Sequence, residues 1–471
     1  MTTMPRRSFL ARAGGAGAGL VVAGSLATVL GEAAFASPAD RRDRGDGGGR
    51  GLGYGDLVTD PAGLLDLPAG FSYVAFSRTG VDLLDTGVPV PAAHDGMGAF
   101  RGRRGGSILV RNHEIEREDV EEDGIAPVPH VAGHTYDPNG AGGTTTLVVD
   151  RSGNLVSHHV SLAGTENNCA GGVTPWGTWL TCEETDEVID GVKHGYVFEV
   201  DPARGGDPTP ITGLGRFEHE AVAFDRSGVA FLTEDADTPF GQVYRFQPHR
   251  PGRGRGSLHA GGSLSTLRIP DLAGTDLSAV TEPGTVFRQL EWVPIPDPDP
   301  ASGESLRALH PGTPIQKAEG IWYGEGAIWF VSSYDGGPGA EDLEDRSASA
   351  HGGQIWRYEP GRDRLELVVQ FTPTDDYEGP DNITVSPFGY AVMCTDGEDD
   401  RQFVAGITAD GDTFPLARNR MSDEEFAGAC FSADGETLFV NVQDPGTTFA
   451  IRGPWRGRGS GHGRGPGHDG G

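Results

Sequence analysis

The sequence predicts an all-β chain, a six-bladed β-propeller, and three observations carry that prediction. First, one hairpin recurs along the chain: an acid or cysteine opens an apolar run, a glycine turn follows, and a polar residue closes the return strand. The copies open at Asp95, Cys169, Glu220, Glu319 and Asp381, with a degenerate sixth around Ala427. Second, three segments of a different pattern, starting at Gly195, Gly241 and Gly353, each follow a hairpin and end near a proline, as an outer strand does when it leaves for the next unit. Third, apolar residues at three-to-four spacing are almost absent, short patches such as Asp423 to Phe426 aside, so helices are not expected. Repetition on this scale points to radial architecture rather than a sandwich. Seven blades is the alternative, because degenerate hairpins make the count uncertain by one.

Each element has its own signal. The central hairpins read Asn167 to Glu184, His219 to Asp235, Ala318 to Tyr334 and Pro380 to Gly397, each a strand, a glycine-centred turn and a return strand. Further strands are expected at Phe71 to Phe76, Ser107 to Val110, Thr144 to Val149, Gly195 to Val200 and Gln242 to Phe246. Others are expected at Val286 to Val293, Gln354 to Tyr358 and Leu365 to Phe371. The insertions Glu116 to Asp137, His249 to Leu264 and Asp335 to Ser349 read as loops on one face.

The chain ends read differently. Arg6-Arg7-Ser8-Phe9-Leu10 precedes a weakly apolar stretch and Ala34-Phe35-Ala36, so residues 1–36 read as a twin-arginine export signal that is cleaved, leaving no membrane anchor. The twin-arginine export machinery is then a partner and the address periplasmic or extracellular. Residues 37–56 read as a disordered linker, 57–456 as one propeller domain and 457–471 as a disordered glycine-rich tail.

Among 471 residues the formal net charge is −31. That balance argues against nucleic acid and against anionic membrane surfaces, both of which require basic patches. It fits solubility or cation binding alike. Of the 4 cysteines, Cys182, Cys394 and Cys430 lie in strand-like runs that suit a small buried residue. Cys169 sits in a polar segment and reads as a metal thiolate, a disulfide partner or an inert thiol.

In a propeller the residue opening each inner strand stands at one mouth of the channel, and the second strand returns to the same mouth. The opening column holds Asp95, Cys169, Glu220, Glu319 and Asp381. The closing column holds Asn112-His113-Glu114, Glu183-Glu184, Glu234-Asp235 and Asp396. Converging carboxylates raise each other's pKa, and bound cations relieve this. Oxygen ligands suit calcium, while a thiolate added to them suits iron or zinc. Any one of these acids alone reads more often as a turn cap, and His113 and His219 read equally as ordinary polar core residues. The shared register of five copies favours metal.

The segment NNCAGGVTPWGTWLTCEE, with GRFEHEAVAF, KAEGIW, GQIWRYEP, PDNITV and EEFAGACFSADGETLFVNVQDPG, resembles the PhoX-type alkaline phosphatases, from about Leu57 to Trp455. The resemblance implies a six-bladed propeller holding Fe3+ and Ca2+ at its channel mouth and hydrolysing phosphate monoesters, here small organic phosphates, with a metal-activated oxygen. It implies Cys169 as thiolate iron ligand, Glu220, Glu234 and Glu319 as carboxylate ligands, and Asp381, Glu114, Glu183 and Asp95 as further cluster positions. Lys317 and Glu319 are the expected catalytic pair. Lys317 stands where the family tends to carry arginine, offering a point charge in place of a two-pronged fork. No serine nucleophile elbow is present, which favours direct attack over a phosphoenzyme. A monomer is expected. Calcium-dependent propeller hydrolases that open lactones or cleave phosphotriesters, and a non-catalytic metal-binding propeller, are the alternatives.

Overall fold

Six antiparallel sheets carry the chain, each beginning with an inner strand that opens one of the six hairpin copies. The computed structural model describes residues 53–236, 240–333, 351–372, 375–397 and 402–455. The chain divides into Met1–Arg50 and Gly51–Gly471, and all six sheets belong to the second unit. The expected export signal, most of the linker, the insertion Asp335 to Ser349 and the glycine-rich tail lie outside the described residues.

Blade 1 runs outward through His94–Arg101, Ser107–His113, Gly142–Val149 and Leu155–Thr165. Blade 2 uses Asn168–Val173, Trp179–Glu183, Val197–Asp201 and Gly205–Gly206. Blade 3 uses His219–Phe224, Ala230–Glu234, Val243–Pro248 and Gly262–Arg268, with Glu291–Ile295 as a fifth strand. Blade 4 uses Ala318–Gly324, Ala327–Ser332, Gln354–Glu359 and Arg364–Gln370, with Val286–Arg288 outside. Blade 5 uses Pro380–Val385, Ala391–Thr395, Phe403–Ile407 and Thr413–Asn419, extended by Leu65–Pro68 and Leu57–Val58. Blade 6 uses Phe426–Phe431, Thr437–Val442 and Thr447–Arg452, and takes its outer strand, Ser72–Phe76, from near the other end of the chain. Each inner strand packs on the next, and that of blade 6 packs on that of blade 1, so the ring closes at six.

Strand chemistry explains these elements. The second strands are continuous buried runs, such as Ala327–Ser332 and Thr437–Val442, because both faces of a blade pack against neighbouring blades. The apolar cores accordingly lie between sheets: Leu180, Val222, Leu232, Tyr244 and Phe246 fill one such layer, and Val392, Val404, Leu438, Val440 and Phe449 another. Helix is confined among the described residues to Leu306–Leu309 and a few single turns.

Three expectations change. The run Val286 to Val293 is two strands in two different sheets, split at Gln289, whose φ is +57°. Asp423 to Phe426 is not helical and leads straight into the inner strand of blade 6. The insertion starting at His249 follows Pro248, whose strand runs away from Glu234. It therefore lies at the opposite end of the blade from the connection beginning at Glu114.

Candidate metal centre

The same irregularity recurs in all six inner hairpins. In blade 1 the pair His94–His113 is followed by Met97–Arg111, so Asp95 and Gly96 oppose the single residue Asn112. Two residues oppose one at Cys169-Ala170, Glu220-Ala221, Glu319-Gly320, Asp381-Asn382 and Gly428-Ala429 as well. A bulge of this kind bends the strand and re-aims a side chain. Here it turns the first bulge residue of each blade toward the mouth of the channel. The second bulge residue is Gly or Ala in five blades, Asn382 being the exception, because the inner strands nearly touch. A Cβ on Gly96 would stand 2.5 Å from Ala170 Cα, and one on Gly320 would stand 2.7 Å from the Ile383 nitrogen.

A second ring stands over the first. The residue after each second strand donates its backbone N–H to the residue before the inner strand. These bonds are Glu114 to Ala93 (2.9 Å), Glu184 to Asn167 (2.9 Å) and Asp235 to Glu218 (3.2 Å). The other three are Ser333 to Lys317 (3.0 Å), Asp396 to Gly379 (2.7 Å) and Gln443 to Glu425 (3.2 Å). The lower ring therefore reads Asp95, Cys169, Glu220, Glu319, Asp381, Gly428. The upper reads Glu114, Glu184, Asp235, Ser333, Asp396, Gln443.

Among the described residues these rings form chained groups whose ligand atoms lie within 4.8 Å of one another: Asp95–Glu114–Cys169, Cys169–Glu184–Glu220, Glu184–Asp235–Glu319, Glu220–Glu319–Asp381 and Asp381–Asp396–Glu425. The sixth blade has no side chain in the lower ring. Gly428 is left-handed (φ +65°) and a Cβ there would meet the Asp95 carbonyl oxygen at 2.4 Å. Glu425, three residues earlier, supplies that blade's carboxylate from the loop.

The electrostatics are those of acids forced together. Burial pushes the Glu220 carboxyl well above the usual carboxylate range, and Glu319, Asp381 and Asp95 push it the same way. Burial, then Glu114, does this to Asp95, and burial, then Asp396 and Asp381, to Glu425. The Cys169 thiol is driven up by burial and then by Asp95 and Glu220. Both oxygens of Glu220 and Oδ1 of Asp95 are buried without a hydrogen-bond partner among the described residues. Orphaned buried oxygens are costly unless something fills their coordination. A hard cation with oxygen ligands does so, and one thiol among the carboxylates adds a softer position. The donor set therefore fits hard cations such as calcium, with one position softened by the thiol.

The supporting shell is amide-rich. Gln443 Nε2 donates to Asp95 Oδ2 (3.2 Å) and Glu114 Oε2 (2.6 Å), and Ser333 Oγ donates to Glu319 Oε1 (3.1 Å). Asn112 Nδ2 reaches the carbonyl oxygens of Cys169 (2.9 Å) and Ala170 (2.7 Å), tying the blade 2 bulge to blade 1. Lys317 Nζ donates to Asp235 Oδ2 at 2.9 Å and lies 3.5 Å from Glu319 Oε1, so the ammonium stands at the rim between two rings.

Of the residues picked from sequence, Asp95, Glu114, Cys169, Glu220, Glu319 and Asp381 come together, with Lys317 beside them. Glu183 and Glu234 do not join them. Strand side chains alternate, so with Glu184 and Asp235 facing the mouth the preceding residues face the blade interior. Glu183 accepts from His194 Nδ1 (2.7 Å) and from the backbone N–H groups of Glu166, Gly195 and Tyr196 (2.9 Å each). Glu234 accepts from Arg307 (2.8 Å) and the Tyr244 hydroxyl (2.6 Å). Glu184, Asp235, Asp396 and Glu425 complete the groups. The first three stand in the closing column of the sequence pattern. Glu425 lies outside the hairpin register, and nothing in the repeat marks it. His113 and His219 are buried, hydrogen-bonded to the Ala92 and Gly215 carbonyls, and kept neutral chiefly by burial. All four cysteines are free and buried.

Comparison with known proteins agrees with this fold. The family described as alkaline phosphatase PhoX matches residues 52–158 and 154–446. Among solved structures, PhoX of Pseudomonas fluorescens in complex with vanadate, a transition-state analogue, is similar at 17% identity and a TM-score of 0.63, covering 83% of this chain and 96% of that one. A calcium-binding regucalcin protein of Agrobacterium tumefaciens aligns at 11% identity and a TM-score of 0.40, over 78% of this chain and 94% of its own. No curated protein matches the chain in sequence. Among the described residues no helix is long and apolar enough to cross a membrane. The span of the family match, together with the propeller fold, shows that the chain belongs to the PhoX alkaline phosphatase family and is a phosphoric monoester hydrolase.

Proposed function

We propose that the chain is an exported phosphatase for small organic phosphate monoesters, working at a mixed iron–calcium cluster held by the two rings. The observation that carries this reading is the convergence of one thiol and nine carboxylates, drawn from all six blades, with orphaned oxygens at the centre. Cys169 would hold iron together with Glu184, Glu220, Asp95 and Glu114, while Asp381, Asp396 and Glu425 offer the all-oxygen positions that suit calcium. Bound there, the ions supply charge neutralisation for the phosphate oxygens and activation of the attacking oxygen.

The chain's own residues do the rest. Lys317 neutralises a phosphate oxygen at the rim, and Asp235 and Glu319 hold its ammonium in place until substrate arrives. Gln443 orients Asp95 and Glu114, and Ser333 orients Glu319. Export by the twin-arginine route as a folded monomer is part of the same reading, resting on Arg6-Arg7 and the apolar stretch after them.

The test is elemental analysis of purified protein alongside turnover of p-nitrophenyl phosphate. Iron and calcium together, with iron lost in Cys169→Ser and turnover lost with it, support the reading. Calcium without iron, with full turnover in Cys169→Ser, overturns the mixed cluster.

A further inference from the structure

The connection into each inner strand holds a residue that is left-handed in four of the six blades: Ala93 (φ +48°), Asn167 (+47°), Lys317 (+42°) and Gly379 (+60°). Glycine adopts this conformation freely and asparagine at lower cost, whereas other side chains make it strained. The three residues with side chains each sit two positions ahead of a lower-ring residue: Asp95, Cys169 and Glu319. Their strain therefore lies directly upstream of the bulges that aim those groups.

In these same three blades, and in no other among the described residues, a side chain from the second strand grips the backbone one residue further back. His113 Nδ1 donates to the Ala92 carbonyl at 2.7 Å, which fixes the Nδ1–H tautomer, while Nε2 accepts from the Thr145 hydroxyl at 2.9 Å. Glu183 Oε1 accepts from the Glu166 N–H at 2.9 Å. Ser332 Oγ donates to the Gln316 carbonyl at 2.7 Å. All three occupy one structural position, the partner of the first inner-strand residue: His94–His113, Asn168–Glu183 and Ala318–Ser332.

The other blades show the converse. In blade 5 the left-handed residue is Gly379, and Thr395 at the equivalent position turns to the Phe403 N–H. In blade 3 Glu218 is not left-handed, and Glu234 turns to Arg307 and Tyr244. In blade 6 the residue two ahead of Gly428 is Phe426, which is not left-handed, and Asn441, opposite Ala427 just before the bulge, turns to the Asp95 carbonyl oxygen (2.6 Å).

The geometry points to His113, Glu183 and Ser332 as positioning residues: each pins a strained left-handed turn and thereby fixes the direction of the mouth group two residues on. None of them touches the mouth groups through its own side chain. The proposal rests on reading the mouth as an ion site, and it explains why polar residues of three different types occupy one repeat position.

Blade 1 offers the clean test, because Ala93 stands outside the rings. The probe is calcium ion titrated by calorimetry into metal-free protein, with thermal melting measured in parallel. His113→Leu removes the grip while filling the space, and is expected to weaken calcium binding by about 10–100-fold, the range for lost orienting partners of metal ligands. His113→Asn places an amide N–H where Nδ1 stood and should bind calcium like wild type. Ala93→Gly added to His113→Leu should restore most of the loss, because glycine needs no pin. Leu438→Ala, a buried change in the blade 6 core, should lower the melting temperature and keep the wild-type calcium affinity, separating positioning from stability.

Undiminished binding in His113→Leu, or no recovery on adding Ala93→Gly, overturns the proposal. Should the wild-type protein itself take up no calcium, the ion reading fails, and the pin is then judged on metal-free melting alone. There a lower melting temperature in His113→Leu that Ala93→Gly restores upholds it, and one that Ala93→Gly leaves unchanged refutes it.

Discussion

The two ends of the channel are built by the same strands and differ in almost everything else. At one end the bulges gather carboxylates and a thiol within a few ångströms. At the other, where the inner strands of blades 1 to 4 finish, the mostly apolar residues Val173, Phe224, Trp322 and Tyr323, with Asp225 and Arg226 beside them, line a cavity of about 410 Å³. Between them, Gly96, Gly171, Gly320 and Gly428 help line a cavity of about 20 Å³, room for about one water. A repeat can therefore keep one hairpin for folding and still divide the labour along its length. The apolar end is where burial stabilises the ring, and the acidic end is where repulsion opposes it.

The largest break in this contrast comes from the acidic end. Glu220→Gln should cost activity on the order of 10²–10³-fold, as loss of a central electrostatic group does. In metal-free protein the same change should raise the melting temperature, because it removes one member of a buried, mutually repelling set. A lower melting temperature in that state would show that the acids are not in conflict.

Phe246→Ala probes the packing behind the other end, since Phe246 stands across Ala230 from Phe224. Phe246 is fully buried beside Leu264 and Tyr244, and its truncation should cost about 3–5 kcal/mol of stability. Calcium affinity of the remaining folded protein should be unchanged, as calorimetry can show.

The third effect depends on pH. In metal-free protein Asp95, Glu220 and Glu425 have folded-state pKa values raised above their unfolded ones. Such groups leave the fold unpenalised below the unfolded carboxylate range and destabilise it progressively as pH rises through the raised values. His194 acts in the same direction. Burial depresses its pKa, but bonds to Glu183 and Asp137 override this and lift it to about 9. Its contribution, up to about 3 kcal/mol, is complete below the ordinary histidine range and fades as pH rises toward that value. Chelated protein should therefore melt progressively lower from about pH 5 to pH 9, and added calcium should flatten the acid part of that slope. A metal-free melting curve that rises with pH would contradict both assignments.

The smallest change is Lys317→Arg. A two-pronged guanidinium in place of the ammonium should lower KM for a phosphate monoester by roughly 2–5-fold, with kcat little altered. An unchanged KM would place Lys317 outside the substrate's reach.

Much of the ring was legible in the sequence because the repeat has one rigid spacing. The six hairpins, their inner strands and the lower ring from Asp95 to Asp381 emerge from aligning the copies. The limit came at single-residue resolution. A period of two decides which of Glu183 and Glu184, or Glu234 and Asp235, faces the mouth, and two adjacent acids hide that phase. The bulges are silent in sequence as well, because the extra residue, Gly or Ala in five copies and Asn382 in the other, carries no distinguishing mark. Glu425 replaces a side chain that Gly428 cannot carry, and such a substitution across registers leaves no periodic trace. The split at Gln289 fails for a related reason: both halves read as strand, and only the sheets to which they belong differ.

Blade 6 carries one more consequence. Its outermost strand, Ser72–Phe76, has Thr447–Arg452 as its partner, so one of the earliest strands to leave the ribosome waits for nearly the last. Until synthesis is almost finished, that strand and the edge of Thr437–Val442 both remain open, with the aggregation hazard that an unpaired edge brings. Loss of a short C-terminal piece reaching Thr447 would therefore act on the opposite end of the polypeptide, releasing Tyr73 and Phe76 from their seats. Ring closure thus doubles as a completeness check on translation, made by the chain itself.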